Sequence, residues 1–209
     1  MEKRPILTTP RAQLYGSTVA IVVVLACGLL GASMLGDKLD RARLEAEQSR
    51  NRSWIRSVVD ALDKQVTAAD PVEVSDPLRL GSSGKASIVT VREHGKELAT
   101  AIKLVAPAGY NGDILLALAV DKKGSIIGLK ILSHAETPGF GDVIGNANSS
   151  WISSFLGRSL KNPEPTRWQL RTDGGDIDGI SGATITASAV VAGISNALRY
   201  VDQTTASAN

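Results

Sequence analysis

The hydrophobic pattern changes character along the chain, and each change marks a different element. The first stretch has no period. No charged residue falls between Arg11 and Asp37, and Leu14 to Leu35 is dominated by Val, Ala, Ile, Leu and Gly. About 20 apolar residues cross a hydrocarbon core as a helix. Residues 14–36 are therefore expected to span a membrane, with 1–13 as a short tail. Gly16, Gly28, Gly31 and Gly36 would let neighbouring helices approach closely, although small residues are common in such helices without any partner. A cleaved signal peptide is the poorer reading, because the run is long and ends in charges rather than a turn. Val24-Leu25-Ala26-Cys27 also resembles a lipobox behind Lys3, Arg4 and Arg11. Apolar residues continue two turns past Cys27, which favours an uncleaved anchor; lipidation of Cys27 stays as the alternative.

Residues 37–66 change to a helical period. Leu39, Trp54, Ile55, Val58, Val59, Leu62 and Val66 form an apolar stripe, clearest from Trp54 at i, i+4 and i+8. Arg41 to Arg52 is densely charged and reads as a solvated face. Asp70-Pro71 and Asp76-Pro77 interrupt any helix, since the residue before proline avoids the helical region. Gly81-Ser82-Ser83-Gly84 adds flexibility. Residues 37–84 thus read as a juxtamembrane helix followed by a connector over 68–84.

From residue 85 the pattern turns to strands. Ala86 to Arg92 and Leu98 to Val105 are rich in Val, Ile and Thr around Glu93-His94-Gly95-Lys96, which predicts a hairpin. Ile114 to Val120 and Ile126 to Leu132 flank Asp121-Lys122-Lys123-Gly124-Ser125, a second hairpin with glycine where a turn needs positive φ. Residues 107–112 are expected to connect the two. Trp151 to Leu156 reads as a short amphipathic helix, Lys161 to Arg171 is punctuated by proline, and Thr186 to Val201 reads as a closing helix. Residues 202–209 read as a disordered tail. Successive strand pairs with a few helices predict an antiparallel α+β domain over 85–201. No GxGxxG follows a strand, so a dinucleotide-binding unit is not supported.

Composition narrows the chemistry. The formal charge of +2 is nearly balanced and only 4% of residues are aromatic, so there is no broad electrostatic case for nucleic acid and few stacking platforms for bases. Cys27 is the single cysteine, which rules out an internal disulfide and a cluster that needs about four thiolates. With only His94 and His134, a histidine-rich metal or haem site is not supported. Redox chemistry would need an organic cofactor, and flavin fits, since it asks the protein only for hydrogen bonds and a fixed position.

Two segments carry candidate chemistry. Asp178-Gly179-Ile180-Ser181-Gly182-Ala183-Thr184-Ile185-Thr186 packs three hydroxyls into a glycine-punctuated turn that opens an apolar helical run. Such a turn offers free N–H groups and a positive dipole end to a phosphate. By spacing alone Ser181 would equally serve as an N-cap, and Asp178 would simply complement the helix dipole. The second segment is His134-Ala135-Glu136-Thr137-Pro138-Gly139-Phe140-Gly141-Asp142. Here Glu136 and Thr137 could hydrogen-bond a ring edge, Gly139 could admit a planar ligand closely, and Phe140 could pack on a ring face. Pro-Gly-Phe-Gly is equally ordinary turn grammar.

Asp178-x-x-Ser181-Gly182-Ala183-Thr184-x-Thr186 resembles the covalent FMN-attachment motif of flavin-binding domains in membrane redox pumps. Most of residues 85–200 is similar to the G-subunit family of Rnf ion-translocating oxidoreductases. That resemblance implies a small antiparallel-sheet FMN-binding domain with flanking helices. The flavin phosphate would be esterified to the Thr186 hydroxyl. Glu136-Thr137-Pro138-Gly139-x-Gly141 matches a stretch that lies close to the flavin in this family and in Na⁺-pumping quinone reductases, with Phe140 where leucine is usual. The resemblance also implies a separate flavin transferase that uses FAD as donor and reads Asp178, Ser181, Gly182, Ala183 and Thr184. A threonine hydroxyl needs an activating neighbour, and the motif segment offers no His or Lys near Thr186.

The flanking charges of the span leave its orientation open. The resemblance implies a cytoplasmic 1–13 and a periplasmic domain on a bacterial inner membrane. Three functions compete. The first is an electron-carrying subunit of an Rnf-type complex that couples electron transfer between ferredoxin and NAD to ion translocation. The second is the homologous C-subunit of a Na⁺-pumping NADH:quinone reductase. The third is an anchored envelope protein without cofactor. In the first two the polypeptide alone would turn over nothing specific, and one uncharged helix is no ion path.

Overall fold

The computed structural model describes residues 38, 53–59, 66–76, 80, 85–146 and 149–207. Two compact units divide the chain, Met1–Ser49 and Arg50–Asn209. Only Lys38 of the first is described. The tail 1–13, the span 14–36 with Cys27, the charged stretch 41–52, Leu62, the linker 81–84 and residues 208–209 lie outside the described residues. Among the described residues no helix is long and apolar enough to cross a membrane.

The centre of the second unit is an antiparallel sheet in the order β1 (Val66–Ala68), β3 (Lys85–Glu93), β4 (Lys96–Gly109), β5 (Gly112–Asp121) and β6 (Ile126–Ser133), with β2 (Val72–Ser75) also paired to β3. β3 (Lys85–Glu93) and β4 (Lys96–Gly109) turn about His94 and Gly95, both at positive φ, as a tight hairpin of primed type requires. β5 (Gly112–Asp121) and β6 (Ile126–Ser133) form the second hairpin. Its turn is held by Asp121 Oδ1, which accepts from the backbone N–H groups of Lys123 and Ser125 at 2.8 Å each.

Three stretches depart from the sequence expectation. Val66 was expected on a helical stripe but begins β1 (Val66–Ala68), where it pairs with Glu93. β2 (Val72–Ser75), within the supposed connector, and β1, which reaches only the connector's first residue, lie along successive parts of β3. They cover backbone groups that would otherwise form an open sheet edge, and Asp70-Pro71 marks the break between them. The expected loop 107–112 is mostly strand. β4 runs to Gly109 and β5 starts at Gly112, so only Tyr110 and Asn111 turn. A bulge between Ala106 and Gly109, with Ala108 at φ 63°, absorbs Pro107, which cannot donate to a ladder.

Parity separates the two sheet faces. Ile102, Leu104, Ala106, Ile114, Leu116, Leu118 and Val120 point to one side and bury against the long closing helix. Val89, Val91, Ala99, Ala101, Ala117 and Ala119 point to the other and bury against Trp54, Ile55, Val58 and Val59 of a helical stretch, α1 (53–59). Alanine dominates the second face, and Gly128 on β6 leaves room only for the Val58 backbone. α1 therefore lies close on the sheet. Each fully buried Leu or Ile of the first face contributes roughly 1.5–3 kcal/mol.

α2 (Ser150–Ser153) is one turn long and is capped by Ser149. Trp151 meets Phe155 edge-on at 4.9 Å between ring centroids, and Phe155 stacks with Trp168 at 6.3 Å. The closing helix, α3, runs Thr184–Ser207. It begins two residues before the expected start and continues through six residues expected to be disordered, because neither glycine nor proline stops it after Val201. α3 crosses β4 at Gly193, where an added Cβ would stand 2.8 Å from Ala106 Cβ and 3.3 Å from Leu116 Cδ2. Gly193→Val is expected to cost about 1–3 kcal/mol through overpacking. The urea midpoint should fall while the slope stays unchanged; an unmoved midpoint would show that α3 is not seated there.

Candidate functional site

The start of α3 is built by a turn. Ala183 N–H donates to Ile180 O at 3.0 Å, and Gly182 sits at φ 74°, the third-position conformation that a type II turn needs. Ala187 N–H then donates to Ala183 O at 3.0 Å, the first full helical bond. Thr184, Ile185 and Thr186 are thus the first three helical residues, whose N–H groups have no carbonyl within the helix and mark its positive end. Ala183, not Ser181, takes the cap position. Asp178 is tied to the preceding loop, with Oδ1 3.0 Å from Arg171 Nε and its carbonyl accepting from Trp151 Nε1 at 2.7 Å.

The second segment leaves β6 and folds over that helix start. Phe140 N–H donates to Thr137 O at 3.2 Å, Gly139 takes φ 81°, and Gly139 N–H donates to Asp142 Oδ1 at 2.9 Å. Glu136 turns inward, not toward an open edge. Thr186 Oγ1 donates to Glu136 Oε2, and Asn111 N–H donates to Glu136 Oε1 at 3.2 Å. Asn111 Nδ2 also donates to Thr137 Oγ1 at 3.0 Å. His134, left open by the sequence, uses Nδ1 to accept from the Glu136 backbone N–H at 3.3 Å and packs Nε2 against Gly145.

Between the segments lies a cavity of about 480 Å³, within the roughly 300–1,000 Å³ range of small-molecule sites. Glu136, Thr137, Phe140, Gly182, Ala183, Thr184 and Thr186 line it; Gly139 and Ser181 shape its turns from outside the lining. Gly141 of the Glu136–Gly141 stretch lines it too, as do Tyr110 and Ile185, which were not singled out from the sequence. Tyr110, Phe140 and Ile185 are more than half exposed and form an apolar rim. Of the two motif threonines Thr184 is exposed, whereas Thr186 is 1% exposed and sits at the floor. Gly141 is required here, since a Cβ would stand 2.8 Å from Glu136 Oε2 and 2.9 Å from Thr186 Oγ1. Among the described residues no group of His, Cys, Asp and Glu could hold a metal.

A flavin mononucleotide fits this donor set. A phosphate would meet free N–H groups at the helix start, close glycines would admit a planar ring, and the rim would give it apolar contact. This defines an FMN-binding domain, and that family matches residues 109–199. The chain belongs to the G-subunit family of ion-translocating oxidoreductase complexes. It is 32% identical to the G-subunit of Shewanella baltica (88% of this chain, 87% of that protein). It is 34% identical to that of Vibrio parahaemolyticus (90% and 88%) and 36% identical to that of Stutzerimonas stutzeri (91% and 83%).

The loop leading into the motif is pinned by Arg167. Its guanidinium donates to Asp176 Oδ1 at 2.6 Å and to Gly174 O at 2.6 Å, while Asp176 N–H returns to Arg167 O at 3.0 Å. The hydrogen bond from Arg167 holds the Asp176 carboxyl below its ordinary range, and Asp176 raises the Arg167 guanidinium above its own. A lowered carboxylate stabilises the fold above its ordinary pKa and loses that contribution as pH falls through the lowered value. The raised arginine titrates only at strongly alkaline pH. Asp176→Asn should therefore lower the melting temperature slightly at neutral pH, as befits an exposed pair, and the difference from wild type should vanish in strong acid. A difference that persists there would mean the carboxylate charge is not the cause.

Proposed function

We propose that Thr186 carries FMN as a threonyl phosphoester and that the chain is the electron-transfer subunit of a membrane-bound, Rnf-type complex. That complex couples electron transfer between ferredoxin and NAD to ion translocation. In this reading residues 14–36 anchor the chain in a bacterial inner membrane, 1–13 are cytoplasmic, and the domain lies on the periplasmic side among the other subunits. A flavin transferase attaches the FMN. The observation that carries the reading is the Thr186 hydroxyl at the floor of the cavity, on the positive end of a 24-residue helix.

Bound FMN supplies one-electron chemistry. The chain itself binds and orients. The N–H groups of Thr184 to Thr186 would hold the phosphate, Gly141 and Gly182 would permit close approach, and Tyr110, Phe140 and Ile185 would shelter the ring. An electron relay needs no general acid or base from the protein. The alternative, the C-subunit of a Na⁺-pumping quinone reductase, is less favoured, because the relatives at 30–36% identity carry the G-subunit name. The cofactor-free reading is opposed by the FMN-binding domain match.

The full chain, co-expressed with a flavin transferase, should give a fluorescent band in denaturing gels of the membrane fraction, and Thr186→Val should abolish it. No band from wild type, or an undiminished band from Thr186→Val, would overturn the reading.

A further inference from the structure

Thr186 has a carboxylate of its own. The two residues are fifty positions apart, yet Thr186 Oγ1 donates directly to Glu136 Oε2. Glu136 is 5% exposed. Its other oxygen is committed to Asn111 N–H, and its backbone N–H to His134 Nδ1. Added Cβ atoms at Gly109 and Gly141 would stand 2.7 Å and 2.8 Å from its two oxygens. Among the described residues the cavity lining contains neither lysine nor arginine. A buried carboxylate is costly unless hydrogen-bonded, and here its donors are one hydroxyl and one backbone amide. The motif segment held no base for a hydroxyl that needs one; the fold brings one from a segment fifty residues earlier.

Resting on the reading of Thr186 as the attachment residue, we propose that Glu136 is the proton acceptor when the flavin ester forms. The acceptor chain, and not only the transferase, thereby supplies a catalytic residue. The donor is FAD, a flavin-bearing pyrophosphate diester. The Thr186 Oγ–P bond forms at the flavin-side phosphorus, the pyrophosphate P–O bond breaks, and AMP leaves. The Thr186 proton passes to Glu136 Oε2, and nothing is oxidised or reduced. Once esterified, Thr186 has no hydrogen to donate, and a phosphodiester anion stands beside Glu136. Asn111 N–H would then be the one donor left to the carboxyl, and the transferred proton stays between Glu136 Oε2 and the new ester, with Glu136 donating in its turn. The same contact explains the choice of Thr186 over the exposed Thr184.

The test uses the purified full chain, the flavin transferase and FAD. The initial rate of attachment is read by in-gel fluorescence and intact mass. Glu136→Gln retains an acceptor for Asn111 but cannot take the proton, and it should slow attachment by about 10²–10⁴-fold, whereas Glu136→Asp should recover part of the rate. A wild-type chain that is never flavinylated would remove the underlying reading of Thr186. A flavinylated wild type with Glu136→Gln at the same rate would remove only this proposal. The wild type alone gives a second readout that survives any folding failure of the variants. Its infrared difference spectrum before and after attachment should gain one protonated-carboxyl band. No such band would overturn the proposal.

Discussion

The seam between α3 and the β4–β5 hairpin is the constraint on which the rest depends. Gly193 lets the helix lie directly on Ala106, and Ile102, Leu104, Ile114, Leu116 and Leu118 fill the space around it. That packing fixes the axis and the height of α3 relative to the sheet. Its first turn consequently emerges beside the tight turn at Tyr110 and Asn111 and beneath the segment leaving β6. The position of Thr186 is thus set by contacts along the helix behind it, not by the motif residues around it. A site whose floor rests on a packed helix is held more firmly than one built on loops.

Polar contacts then complete what packing begins. Asn111 binds both Glu136 and Thr137, His134 orients the Glu136 backbone, and Thr186 closes the circuit. The loop from Arg167 to Asp178 delivers the motif from the far side, tied by Arg167 to Asp176 and by Trp151 to Asp178. Its anchor is the Trp151–Phe155–Trp168 cluster, which belongs to the same core as α3. Charge inside the cavity is sparse: one carboxylate, set at the positive end of a helix, where an anion is best tolerated. The rim above is apolar, which suits a planar ring at the surface of a protein that exchanges electrons with its neighbours.

Both hairpins were legible in the sequence because strand-forming runs and the turn glycines at 95 and 124 agree with each other. The hydroxyl-rich motif and the Glu136–Phe140 stretch were legible as separate segments. What the sequence hid was long-range. β1 and β2 are three and four residues long, too short for periodicity, and they exist as strands because β3 needs covering. Pro107 suggested a loop, yet a bulge accommodates it within β4. The contact of Glu136 with Thr186 is one that no local spacing could reveal. Gly141 looked like turn grammar, and its need for close approach appears only when α3 is laid beside it. Tyr110 and Ile185 reach the cavity solely through the meeting of the β4–β5 turn with the helix start.

One covalent bond at one oxygen atom underlies the functional account. Peptide mapping by mass spectrometry, on the full chain purified from a host that carries a flavin transferase, addresses it most directly. A single FMN adduct localised to Thr186 is the expected result. An unmodified 178–199 peptide, or an adduct on Ser181 or Thr184 instead, would contradict it.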